Sequence, residues 1–271
     1  DPSQALMGIQ ALYDRGIRGE DVVVAILDST PGWSPVLCKW KATREIAILS
    51  MEELFDRFQD RASLTDRGEE VCPVSGLQIW NGHSKASGKW KDIFHVIRHH
   101  HEGELIRLNT ANAVVDVTPN HSVIAINGAE VDASTLSVGD RLAITERKIP
   151  GNEGGTCFLG DESFAWVLGF WAAEGSVHFT KKHGRYVVAV ANKRMDLLER
   201  SSEAFSKSLN AHAAIVDGGN GMGKCQVTNQ AVYRWFKANC TYNKQKRVPN
   251  VILNSPENVQ MAFLRGYNAG D

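Results

Sequence analysis

Apolar positions in this chain follow a helical period near both ends and a strand period between them. Leu6, Ile9, Leu12 and Tyr13 recur at helical spacing, and Gly16 and Gly19 end that run. Val22 to Leu27 are continuously apolar and predict a buried parallel strand, with Asp28 at its C-terminal end. From there to about residue 150 the apolar residues alternate over short stretches separated by glycine turns, which suits an all-β unit. "VVDVTPNHSVIAING" (114–128) predicts a half-buried strand, and "VDASTLSVGDRLAI" (131–144) a strand-turn-strand with its turn at 137–140. The exception is 48–58, where Leu49, Leu54, Phe55 and Phe58 predict a short amphipathic helix.

A glycine-rich joint at 150–155 marks a change of character. "FAWVLGFWAAEGSVHF" (164–179) opens as a helix that is apolar all round, with small residues at Gly169, Ala172 and Ala173. It ends at Glu174-Gly175, where a strand begins. About ninety residues later "VQMAFLRGYNAGD" repeats the design and ends on Asp271.

Length and composition refine this picture only modestly. The chain has 271 residues, enough for about two domains by the usual prior of roughly 150 residues each. With 43% hydrophobic residues it can build sizeable cores, and a net charge of −1 leaves any nucleic-acid site to local clusters of Lys and Arg. Cysteines at 38, 72, 157, 225 and 240 are odd in number and have no C-x-x-C spacing, which predicts buried thiols rather than a disulfide framework or zinc site. The run His99-His100-His101 has no second ligand cluster at metal spacing. No apolar stretch reaches membrane-spanning length, so no membrane partner is expected.

Three resemblances give these elements a meaning. "RGIRGEDVVVAILD" resembles the stretch of subtilisin-like serine proteases that leads to the catalytic aspartate, and it matches Asp28 to the acid of a Ser-His-Asp triad. The next residues do not continue that family. "STPGWSPV" from Ser29 resembles the opening block of inteins, self-splicing elements on the all-β, horseshoe-like Hint fold. Thr118-x-x-His121 and the 131–144 block resemble two further intein blocks. "FAWVLGFWAAEG" and "FLRGYNAGD" resemble the two motifs of a LAGLIDADG homing endonuclease, an α+β fold, with Glu174 and Asp271 at the acid positions. "KQKRVPNVIL" (244–253) resembles the lead-in to the second motif. Asn268 and Ala269 depart from the commoner pattern of that family.

Together the resemblances imply a short α/β N-terminal extein over 1–28, the N-terminal part of a Hint splicing domain over 29–150 and an endonuclease over 151–271. In that reading Ser29 attacks the carbonyl of Asp28 in an N–O acyl shift, and Thr118 and His121 act on the scissile amide. Splicing needs no cofactor. Glu174 and Asp271 would bind Mg²⁺ and Lys246 would stand near the cleavage site. Lys181, Lys182, Arg185, Lys193, Lys244 and Arg247 would contact phosphates of double-stranded DNA, the host gene without the insert. Further expected partners are a C-terminal intein segment and a downstream extein beyond residue 271, and the chain is expected to be a monomer. Splicing implies the cytoplasm at the time it occurs, while a host of this protease class is open to secretion. Two alternatives share these motifs: a hedgehog-type Hint autoprocessing protein, and a DNA-binding protein with a degenerate endonuclease fold.

Overall fold

The computed structural model describes residues 30–81, 89–111, 113–143 and 161–270. The helix and strand expected before residue 29, the glycine joint, Cys157, Asp28, Ser29 and Asp271 lie outside the described residues. Small antiparallel sheets dominate, accompanied by a few helices. The chain divides into two compact units: Asp1–Val36 with Leu49–Glu146, and Leu37–Ile48 with Arg147–Asp271.

Two strands and a helix open the described chain: β1 (Pro35–Trp40), β2 (Ile46–Ser50) and α1 (Met51–Asp56). The first unit continues with β3 (Ser63–Leu64), β4 (Glu70–Pro73), β5 (Leu77–Asn81), β6 (Lys89–Asp92), β7 (His95–Arg98), β8 (Ile106–Asn109), β9 (Val114–Val117), β10 (Ser122–Ile124) and β11 (Glu130–Asp132). The pairs β5–β6, β8–β9 and β10–β11 are antiparallel, and β3-β4-β7 form a three-stranded sheet. Arg98 lies 4.0 Å from the centroid of buried Phe55 and forms a two-pronged ion pair with Glu70, fixing β4 and β7 beneath α1.

Two expectations for this unit need correction. The helix expected over 48–58 begins only at Met51. Ser50 is its N-cap, its hydroxyl accepting the Glu53 N–H at 3.0 Å, so Leu49 stays in β2 and is buried there. The single strand expected over 114–128 is two strands, β9 and β10. Pro119 has no N–H for a ladder, and the chain turns between Thr118 and His121, whose N–H donates to the Thr118 carbonyl at 3.0 Å. The turn at 137–140 forms as expected: Ser137 N–H donates to the Asp140 carboxylate at 2.7 Å, and Gly139 takes a φ of 105°.

The second unit is built on α2 (Glu162–Glu174), β12 (Gly175–Thr180), β13 (Arg185–Asn192), α3 (Met195–Leu209), β14 (Ala213–Gly219), β15 (Met222–Thr228), α4 (Gln230–Cys240), β16 (Thr241–Tyr242), β17 (Gln245–Lys246), α5 (Asn250–Leu253) and α6 (Glu257–Gly270). Its antiparallel sheet has the order β12-β13-β15-β14. Every residue of α2 from Phe164 to Trp171 is buried, as its all-round apolar sequence requires. Asp161 caps the helix by accepting the N–H groups of Ser163 and Phe164.

One face of the sheet (Val188, Val190, Cys225, Val227, Ala213) enters the core with α2, α3 and α4. Trp171 meets Phe236 edge-on at 5.0 Å there. Cys38, Cys72, Cys225 and Cys240 are buried reduced thiols, consistent with the sequence. No helix among the described residues is long and apolar enough to cross a membrane.

Candidate functional site

In the first unit the turn that follows Ser29 is anchored by the start of α1. The first N–H groups of a helix have no partner within it. Here Met51 N–H donates to the Ser34 carbonyl at 3.0 Å and Glu52 N–H to the Gly32 carbonyl at 2.8 Å, while Ser34 N–H closes the turn on Pro31 at 2.9 Å. Within that turn the Trp33 indole N–H donates to Asp116 Oδ2 at 3.3 Å. Asp116 lies on β9 opposite Arg107 of β8, which binds it with two N–H groups at 2.7 and 2.9 Å. The Arg107 hydrogen bond, helped by the one from Trp33, holds the Asp116 carboxyl below the usual carboxylate range.

Thr118 follows β9 directly and is buried. Its hydroxyl donates to Asn120 Oδ1 at 2.7 Å. The turn it opens is held from outside, since Ala133 N–H donates to the His121 carbonyl and Ser134 N–H to the Pro119 carbonyl, both at 2.9 Å. His121 is half-buried. Thr118 and His121 thus sit on one hydrogen-bonded turn. Their expected targets, Asp28 and Ser29, are outside the described residues.

In the second unit the two motif helices, α2 and α6, pack against each other through their glycines. A Cβ on Gly169 would lie 1.9 Å from the Phe263 carbonyl oxygen, and one on Gly266 would lie 1.9 Å from that of Trp166. The close approach is reciprocal, and neither helix tolerates a side chain at its contact point. The C-terminal ends meet as well, because a Cβ on Gly270 would lie 2.5 Å from Ala173 Cβ and 3.0 Å from Glu174 Cγ. The end of α2 is fixed by Trp171, whose indole covers Gly175 and donates to the Ser176 carbonyl at 3.2 Å. Glu174 is therefore held, half-buried, beside the residue that precedes Asp271.

Lys246 reaches the same place. Its ammonium donates to the Ala173 carbonyl at 2.9 Å and lies 5.5 Å from the Trp171 ring centroid. Burial of the ammonium pushes its pKa down, while the Glu174 carboxylate opposes the shift. Of the other basic residues named from sequence, Lys181, Lys182 and Arg185 are exposed around the β12–β13 connection, and exposed Lys193 follows β13 at its other end. Lys244 is in the β16–β17 turn. Arg247 donates to the Asn239 and Ala238 carbonyls at 3.3 and 3.1 Å, which gives it a part in closing the end of α4.

Arg185, named from sequence as a phosphate contact, belongs to the second face of the sheet. Strand register places Ser176, His178 and Thr180 of β12, Arg185 of β13, and Lys224, Gln226 and Thr228 of β15 on the face away from the core. Burial, together with the charge of Lys224, lowers the pKa of His178. Alternation along β12 and β15 marks this face, which also carries buried Val187 and Ala189 of β13. The His99–His101 segment is exposed, and no cluster of three metal-ligating side chains occurs among the described residues.

No family model matches the chain. It is 24% identical to the replication factor C small subunit of Methanocaldococcus jannaschii over 76% of its own length and 13% of the relative's. A DNA polymerase of Acanthamoeba polyphaga mimivirus is 24% identical over 93% of this chain and 15% of that protein. Transcription initiation factor IIB of M. jannaschii is 25% identical over 85% of this chain and 34% of that one. The chain thus spans between about one-eighth and one-third of the length of these relatives.

Among solved structures, the transcription factor IIB Mvu mini-intein is similar with 23% identity and a TM-score of 0.38, over 42% of this chain and 68% of that one. I-DmoI in complex with DNA and Mn is similar with 19% identity and a TM-score of 0.32, over 41% of this chain and 62% of that one.

Proposed function

We propose that the chain is part of a self-splicing protein insert that carries a site-specific DNA endonuclease, and that it interrupts a subtilisin-like protease between Asp28 and Ser29. The observation that carries the endonuclease half is the reciprocal glycine crossing of α2 and α6, whose C-terminal ends meet beside Glu174, where the Lys246 ammonium also reaches the end of α2. Support for an insert comes from the relatives. A replication factor, a DNA polymerase and a transcription factor have no shared task in their names, yet each resembles this chain over one limited part of its length. A mobile segment lodged in unrelated hosts produces that pattern.

In the splicing step the Ser29 hydroxyl attacks the Asp28 carbonyl. The C–N bond breaks, the proton goes to the freed amine and an ester replaces the amide. A proton donor at the scissile nitrogen is what makes an amine leave, and that is the role proposed for the Thr118–His121 turn. In the nuclease, Glu174 and Asp271 would hold Mg²⁺, which fits a site with one or two carboxylates completed by phosphate oxygens and water. Bound there, the ion supplies charge neutralisation and an activated water for phosphodiester hydrolysis. Lys246 adds positive charge at the same point, and the polar sheet face with Arg185 and Lys224 faces the DNA.

Incubation with double-stranded DNA carrying the uninterrupted protease gene tests this. Mg²⁺-dependent cutting at the codons of the Asp28–Ser29 junction, abolished by Glu174→Gln, is expected. Tight binding without any cutting would instead favour the DNA-binding alternative.

A further inference from the structure

In the first unit a single carboxylate joins two segments that are far apart in sequence. Trp33 and Asp116 are 83 positions apart, and the indole hydrogen bond between them is 3.3 Å long. Trp33 belongs to the turn pinned to α1, four residues beyond Ser29. Asp116 lies two residues before Thr118, on the strand that leads into the Thr118–His121 turn. Both Asp116 oxygens are in use. Oδ1 accepts from Arg107 Nε at 2.7 Å, and Oδ2 accepts from Arg107 Nη2 at 2.9 Å as well as from Trp33. The Arg107 fork removes the carboxylate's rotational freedom and aims its remaining lone pair at the indole.

Trp33 is 63% exposed, so burial does not account for its position. Asp116, by contrast, has a side chain only 11% exposed and is the fixed partner. The backbone around each end is already satisfied: α1 holds the Pro31–Ser34 turn, and residues 133–134 hold the Thr118–His121 turn. The indole–carboxylate contact ties the Pro31–Ser34 turn to β9, the strand that leads into the Thr118–His121 turn.

We infer that Asp116, locked by Arg107, is a positioning residue that sets the register between the segment following Ser29 and the Thr118–His121 turn, and so governs the rate of acyl shift at Ser29. This rests on the splicing reading above. Asp116 touches neither the bond that breaks nor the bond that forms. It acts through Trp33.

The test uses the full chain and two readouts. The first is the rate at which hydroxylamine cleaves the protein between Asp28 and Ser29, which measures ester formation. Trp33→Phe, which removes only the indole N–H, and Asp116→Asn, which breaks the Arg107 fork, are each expected to slow this cleavage by roughly three- to tenfold. The double variant should be no slower than the worse single one, because both remove the same link. The unfolding midpoint should be little changed in Trp33→Phe, whereas Asp116→Asn, which also gives up the Arg107 ion pair, should melt somewhat lower. Equal cleavage rates in wild type and Trp33→Phe, or losses that multiply in the double variant, would overturn the inference.

The second readout is the NMR signal of the Trp33 indole N–H, which does not depend on splicing. It should shift in Asp116→Asn and in Arg107→Ala, and an unmoved signal overturns the link by itself. Ser29→Ala separates the two ideas. If the wild type gives no cleavage beyond that of Ser29→Ala, the splicing reading fails and the inferred role of Asp116 in it fails too, while the indole signal still decides whether the link exists.

Discussion

Gly169→Ala probes the helix crossing on which the nuclease reading stands. In an isolated helix this change is favourable by about 0.5–1 kcal/mol, because alanine loses less backbone freedom than glycine. Here the added methyl would lie 1.9 Å from the Phe263 carbonyl oxygen, more than an ångström inside the 3.0 Å that real contacts respect. The atom it meets is backbone, held within α6, and cannot swing aside as a side-chain tip would. The helices must separate or tilt, and overpacking of this kind costs about 1–3 kcal/mol, sometimes more.

Offset by the helix gain, a net loss of about 1 kcal/mol is expected, or a fall in melting temperature of roughly 2–5 °C for a unit of this size. Separation also carries Glu174 away from the end of α6. A displacement near 1 Å at a catalytic group costs about a hundredfold in rate, so DNA cutting should fall by more than the stability loss explains. Calorimetry and a cleavage time course measure the two effects, with Gly266→Ala as the reciprocal case. A melting temperature that is unchanged or raised in either variant refutes the close crossing.

The remaining expectations are simpler. Asp161→Ala removes the cap of α2 and its bond to Ser208, and denaturant unfolding should show a loss of about 1–2 kcal/mol. Acid should weaken the first unit through Asp116. Its folded pKa is depressed, so its contribution is present above the ordinary aspartate value of about 3.9 and lost as pH falls through the lower folded value. A pH titration of the Trp33 indole signal should therefore show its midpoint below that value. Alkylation of the native protein at pH 8 should leave Cys38, Cys72, Cys225 and Cys240 unlabelled. All four are buried, and burial pushes the Cys225 thiol up to about 11.

The parts of the fold legible in the sequence were those with a strong local signature. Helix α2 announces itself by an all-round apolar run, α6 by repeating its small residues and terminal acid, and the turn at 137–140 by its glycine and aspartate. Boundaries were less legible, because a single side chain decides them. Ser50 starts α1 three residues later than the apolar spacing suggested, and Pro119 splits what reads as one strand. Least legible were links between distant residues. No local pattern tells that Trp33 donates to Asp116, or that Lys246 reaches the Ala173 carbonyl 73 positions away. Arg247 was expected to contact DNA phosphates, and only the fold shows its guanidinium turned to the carbonyls at the end of α4.

The central claim is that Ser29 begins an insert which removes itself. Mass spectrometry of the complete gene product, with Ser29→Ala beside it, tests that most directly. The expected result is an excised species whose N-terminal residue is Ser29, together with a ligated product in which Asp28 is joined to the downstream extein, both absent from the Ser29→Ala variant. A wild-type protein that stays at full mass, indistinguishable from Ser29→Ala, would contradict it.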